Sequence, residues 1–192
     1  GSGFALGFAG TNSIPLGGTW AASAASSLTN VATGTFTFGN TISGNALTLL
    51  GSGNTTLNSS ATLATGAFAL TATQSGTVTL SNVNNFTGVT AFSGGTVVLD
   101  YSTNNNTKLT QNSGAASAAA LSLGGVNLQL SGGSFAQTLG TPSSGSNGTT
   151  LGAGQSKITQ TNSGTSTLAL GAITRSAGAA IDFQTGVAST TT

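Results

Sequence analysis

The sequence predicts an all-β chain wound as a β-solenoid, a parallel β-helix with coils of about 20–22 residues. Three observations lead there. Apolar residues recur with period two in short bursts, the signature of strands with one buried face. Clusters of Gly, Asn and Ser separate the bursts and supply turns at little steric cost. A pattern Gly-Thr-x-Thr-Phe/Leu returns at Gly34–Phe38, Gly76–Leu80 and Gly164–Leu168, the second interval close to twice the first, as even multiples of one coil would be.

Taken along the chain, residues 1–32 form an N-terminal segment. It opens Gly1-Ser-Gly-Phe-Ala-Leu-Gly-Phe-Ala-Gly10, with Phe4, Leu6 and Phe8 on one face of an extended, charge-free stretch. That segment either caps its own first coil or is a strand donated to a neighbour, which makes Phe4, Leu6 and Phe8 the candidate assembly residues. Residues 33–192 form the repeat region. Its bursts pair Phe36 with Phe38, Leu47 with Leu49, Phe68 with Leu70, Val78 with Leu80, Val97 with Leu99, Leu121 with Leu123, Leu128 with Leu130, Leu168 with Leu170, and Ile181 with Phe183. These residues are expected to point inward and stack coil on coil. Ala115–Ala120 is the stretch with helical propensity, short and preceded by Gly114.

Composition narrows the function more than any motif does. Of 192 residues, 30 are Gly, 61 are Ser or Thr, and five are charged: Asp100, Lys108, Lys157, Arg175 and Asp182. A soluble domain of this length ordinarily carries about 48 charges. Leu, Ile, Val and Phe number 42, enough with a net charge of +1 to argue against disorder. Three scattered cations make no basic patch, so no nucleic-acid partner is expected. No run of 18 apolar residues occurs, which excludes a transmembrane helix, and one Trp and one Tyr cannot build the aromatic girdles of a membrane barrel.

The same inventory leaves catalysis without tools. There is no His, Cys or Met, and the two carboxylates, Asp100 and Asp182, are several coils apart and cannot form a glycosidase pair, so no catalytic, cofactor-binding or metal site is assigned. The three cations read as solvated surface charges, with Arg175 placed to pair with Asp182 across a turn. Asn-x-Ser/Thr sequons at Asn54, Asn58, Asn85, Asn105 and Asn147 are about as many as chance allows. Asn84 or Asn85 reads better as a corner residue whose amide bonds from coil to coil. Trp20 and Tyr101 read as packing aromatics. Thr-x-Thr pairs at Thr35/Thr37, Thr71/Thr73, Thr77/Thr79 and Thr165/Thr167 admit a flat hydroxyl array of ice-binding type, though outward Thr is ordinary strand chemistry.

Within Ser75–Leu99, the residues Thr77 to Leu80, Asn84, Phe86, Gly88, Thr90, Gly95, Val97 and Leu99 fall on one pattern. This stretch resembles the autotransporter-associated β-strand repeat. Leu168–Phe183 is similar to repeats of giant, low-complexity bacterial surface proteins. The resemblance implies a right-handed β-helical passenger, extracellular or on the bacterial cell surface, with no catalytic residue and no cofactor. The missing signal sequence and initiator Met fit a processed chain or a piece of a longer one, and the absence of Cys fits an extracellular product. The expected role is a structural subunit or segment of a surface fibre, filament or sheath, with its own kind as the partner. A binding module for a glycan or host surface is the alternative.

Overall fold

A computed structural model of the chain describes residues 4–22, 24–58, 63, 69–82, 84, 88–109, 121–138, 148–162, 164–185 and 190–191. The described strands wind through eight successive rungs. The first comprises β1 (Ala5–Phe8), β2 (Ile14–Leu16) and β3 (Trp20–Ala22), the second β4 (Ser26–Asn30), β5 (Thr35–Phe38) and β6 (Ile42–Gly44). Then come β7 (Ala46–Gly51) with β8 (Asn54–Leu57), β9 (Ala69–Ala72) with β10 (Thr77–Leu80), and β11 (Thr90–Ser93) with β12 (Thr96–Tyr101). The sixth rung is β13 (Leu121–Gly124), β14 (Asn127–Gly132) and β15 (Phe135–Thr138). The seventh is β16 (Thr149–Leu151), β17 (Gly154–Asn162) and β18 (Ser166–Ala169), and the eighth β19 (Ile173–Arg175), β20 (Ala179–Thr185) and β21 (Thr190–Thr191).

Every strand pairs in parallel with its counterpart one rung away, giving two sheets of eight strands, β1-β4-β7-β9-β11-β13-β16-β19 and β2-β5-β8-β10-β12-β14-β17-β20. A third face carries β3-β6, extended by a bridge from Ile42 to Leu63, and β15-β18-β21. This is a parallel β-solenoid. Consecutive sequence neighbours lie on different faces, so every sheet bond joins residues about one coil apart and the backbone donors are spent along the stacking axis.

Period two in the sequence becomes columns in space. One runs Ile14, Phe36, Thr55, Val78, Val97, Leu128, Ile158, Phe183, and its neighbour runs Leu16, Phe38, Leu57, Leu80, Leu99, Leu130, Gln160. On the facing sheet, Leu6, Leu28, Leu49, Ala72, Phe92, Leu123 and Leu151 stack in the same manner. Ala72 beside Phe92 is a small side chain making room for a large one, as close packing demands. The expected core residues Phe36, Leu49, Val78, Leu80, Leu99, Leu128 and Leu168 are all buried. Phe68 lies outside the described residues, as do Asn85, Phe86 and the Ala115–Ala120 run.

Three expectations need correction. The last burst is not core: Phe183 is 42% exposed and Ile181 only partly buried, because β20 ends its sheet and no described strand covers its outer side. Coil length is also less uniform than expected. Leu28 is followed in its column by Leu49, near the expected spacing, but Val97 is followed only by Leu128, since Gly/Ser/Ala-rich connections lengthen the later coils. The three Gly-Thr-x-Thr segments are not equivalent either. Those at Thr35–Phe38 and Thr77–Leu80 share a sheet two rungs apart, whereas Ser166–Ala169 lies on the third face.

Tight corners require glycine at a few points. Gly51 has φ +102°, and a Cβ there would run into the Asn30 carbonyl; Gly95 has φ +59° and would run into the carbonyls of Gln74 and Gly76.

Candidate assembly surface and the buried corner cluster

Phe4, Leu6 and Phe8 come together at the first rung. β1 lies alongside β4, pairing Leu6 with Leu28 and Phe8 with Asn30, and Leu6 and Phe8 pack partly buried against the core. Phe8 meets Phe36 at 4.1 Å between ring centres, and Phe4 meets the edge of Trp20 at 5.6 Å. Trp20 also sits edge-on to Phe38 at 6.0 Å. β1 therefore lies on its own chain. Its other edge, like that of β2, pairs with no described strand. A shallow hollow beside it is lined by Phe4, Ala5, Ala25, Ser26, Ser27 and Thr48, none of which titrates.

The opposite end differs in chemistry. Ile173 and Phe183, on inward columns, are 47% and 42% exposed, and Arg175 occupies the inward position beside Leu151. Its guanidinium donates to the Ala179 carbonyl at 3.3 Å. Asp182 instead stands beside Lys157 in the sheet register and accepts from Gln184 Nε2 at 2.9 Å, so the expected pairing of Arg175 with Asp182 is not formed. Asp100 and Asp182 are three rungs and four strand positions apart, about 19 Å from the usual strand dimensions. No catalytic pair comes together among the described residues.

Outward positions form polar ladders. Thr37, Thr56 and Thr79 are consecutive hydroxyls in one column; in the next, Thr35, Asn54, Thr77 and Thr96 combine hydroxyls with one carboxamide, and Thr77 N donates to Asn54 Oδ1.

Corner polar groups hold the rungs to one another. Asn84 is buried; its Oδ1 accepts from the Leu63 amide at 2.9 Å and its Nδ2 donates to the Lys108 carbonyl at 2.9 Å, joining residues 21 and 24 positions away. Asn30 accepts from Ala32 N at 3.0 Å within its own corner and donates to Asn54 O, 24 positions away, at 2.7 Å. Gln137 is the densest node. Its Oε1 accepts from Tyr101 Oη at 2.9 Å, Lys108 N at 3.0 Å and Leu109 N at 3.4 Å, while Nε2 donates to Leu109 O at 2.7 Å and Thr138 O at 3.3 Å.

Lys108 departs from the expectation that the cations are solvated: it is 0% exposed, whereas Arg175 is exposed and Lys157 partly so. Its Nζ donates to Ser81 O at 3.0 Å, Asn104 O at 3.3 Å and Asn104 Oδ1 at 2.5 Å, and lies 5.1 Å from the centre of the Tyr101 ring. The loop after β12 folds the lysine back under the rung, where backbone carbonyls of Ser81 and Asn104 replace water. Burial pushes its amine below the ordinary value, partly offset by the charge of Asp100. Burial pushes the Asp100 carboxyl up, but hydrogen bonds from Ser102 and Ser81, with Lys108 nearby, outweigh it and leave the group lowered. Tyr101, stacked on Phe135 at 4.5 Å, has its phenol pushed strongly upward by burial.

Neither Lys108 nor Gln137 carries a local sequence signal for these roles, since their partners lie up to 36 residues away. Among the described residues no group of three His, Cys, Asp or Glu gathers, and no helix is long and apolar enough to cross a membrane. No protein-family model, curated protein or solved structure matches the chain.

Proposed function

We propose that the chain is a non-catalytic extracellular structural protein, a β-helical subunit or segment of a bacterial surface fibre, filament or sheath, assembling through homotypic contacts. The observation that carries this reading is the first rung: two parallel strand edges bearing Phe4, Leu6, Phe8, Ile14 and Leu16 with no charge nearby, in a chain whose first 99 residues hold none. Unpaired edges of this kind recruit strands unless charge or a cap blocks them. The resemblance of Ser75–Leu99 to the autotransporter repeat supports the exterior location. Sedimentation of the intact chain over a concentration series tests the reading, with Phe8→Lys as the comparison. Concentration-dependent assembly that Phe8→Lys suppresses is expected; a monodisperse monomer from the intact chain at high concentration overturns it. Truncation of residues 1–10 separates the routes, since filaments unchanged by that deletion eliminate strand donation.

The ladders Thr37-Thr56-Thr79 and Thr35-Asn54-Thr77-Thr96 favour one second reading, a binding module that uses these uncharged hydroxyls and the Asn54 amide. A glycan is its expected ligand class, and ordered ice the more distant one. Loss of surface binding in Thr56→Lys with assembly intact would favour it over the fibre.

A further inference from the structure

Lys108 stands out in a chain with five charges because it is wholly buried and faces a carboxamide. Its contact with Asn104 Oδ1, at 2.5 Å, is shorter than the usual range for a nitrogen donor. Its own backbone is pinned at both ends by amides from neighbouring coils, with Gln137 Oε1 on its N–H and Asn84 Nδ2 on its carbonyl. The base of the side chain is thus fixed and the amine is delivered to one place.

We propose that Lys108 and Asn104 condense into a side-chain isopeptide, a covalent cross-link that closes the loop after β12. The reaction is a transamidation. The neutral Nζ adds to Cγ of Asn104 once the carboxamide rotates about Cβ–Cγ to present its face. The Nζ–Cγ bond forms, the Cγ–Nδ2 bond breaks, and one proton passes from Nζ to Nδ2, which leaves as ammonia. No oxidant or other co-reactant is needed. Both nitrogens already contact a single acceptor, the Ser81 carbonyl, Nζ at 3.0 Å and Nδ2 at 3.4 Å, so the attacking and departing groups are held side by side. Desolvation favours the nucleophilic, uncharged amine, the general route by which buried lysines are activated. The product replaces a buried titratable amine with an uncharged amide in a pocket lined with carbonyl acceptors and the Tyr101 ring.

Intact-mass measurement of the purified full chain, followed by tryptic digestion after denaturation, tests this. The expected result is a mass lower than the sequence mass by one ammonia, with trypsin cutting at Lys157 and Arg175 but not at Lys108. Asn104→Asp should lose one water instead, and Lys108→Arg should stay at its sequence mass with the same circular dichroism. A folded chain at full sequence mass overturns the proposal. So does ammonia loss with Lys108 still cleaved, which would mark a succinimide at Asn104, and so does a cleavage-resistant Lys108 in Asn104→Ala.

Discussion

Replacing Gln137 by Leu probes whether polar nodes or apolar volume hold the later coils together. The substitution keeps most of the side-chain volume, so it opens little cavity, yet it deletes five hydrogen bonds. The bonds at 3.3 and 3.4 Å are long and weigh little. The remaining three strand a phenol hydroxyl, the Lys108 amide and the Leu109 carbonyl, at about 1–3 kcal/mol for each buried group left unpaired. A loss of about 3–9 kcal/mol follows, against a typical total stability of about 5–15 kcal/mol. Gln137→Glu should be costly as well, because a carboxylate keeps the acceptors but cannot donate to Leu109 O at 2.7 Å and must be buried. Urea denaturation gives the loss, and amide hydrogen exchange locates it: Lys108 and Leu109 should exchange faster than amides of β7. A loss below about 1 kcal/mol for Gln137→Leu, or unchanged exchange at residues 108 and 109, would mean that apolar volume and not the polar node holds these coils together.

Thr55 is fully buried between Phe36 and Val78 in its column, and its hydroxyl has no partner among the described residues, so Thr55→Val should stabilise the chain by about 1–2 kcal/mol in the same denaturation assay. Position along the stack should set the cost of core truncation: Leu99→Ala, inside the fifth rung, should lose about 2–5 kcal/mol, while Phe183→Ala on the open eighth rung should lose far less. The Asp100 carboxyl is lowered in the folded chain from an ordinary 3.8, so its stabilisation is complete above that pH and is lost as pH falls through the folded value. Urea midpoints should therefore drop at acid pH, and Asp100→Asn should remove that part of the drop. Tyr101 is raised, so its contribution is present below its ordinary 10.0 and declines as pH rises past it; Tyr101→Phe should flatten the alkaline limb.

Architecture is legible where side chains act through their immediate neighbours. Phe36 and Phe38, or Leu128 and Leu130, alternate because a strand alternates, and the Gly and Asn clusters between bursts mark corners whatever lies above them. The even spacing between Gly34 and Gly76 holds because both segments start strands of one sheet, two rungs apart. Gly164 shares the local pattern yet lies on another face, since Gly-Thr-x-Thr encodes a turn and a strand but not which side of the coil they occupy. Lys108 escapes a sequence reading for the same reason. A lysine after Asn104-Asn105-Asn106 reads as solvated until the Ser81 carbonyl, 27 residues earlier, is placed beneath it. Polar nodes in a solenoid depend on neighbours one coil away. With coils as unequal as Phe36 to Thr55 and Val97 to Leu128, no fixed offset finds them.

The two ends of the stack are chemically unequal, and this constrains any assembly more than the sequence pattern does. A second copy laid on the eighth rung would cover Ile173 and Phe183, which is favourable, but would also enclose Arg175 on an inward column with no carboxylate at the first rung to meet it. Burying an unpaired guanidinium costs more than two partly exposed apolar side chains return. Head-to-tail stacking is thereby opposed unless the Arg175 side chain swings outward from its contact with the Ala179 carbonyl. The first rung carries no such penalty, because Leu6, Phe8, Ile14 and Leu16 border only uncharged neighbours. Contacts between first rungs, or between the outward faces of neighbouring stacks, meet less resistance than a continuous end-to-end rod. If copies of the chain pair, Arg175 opposes contact at the eighth rung and leaves the uncharged first rung as the open edge.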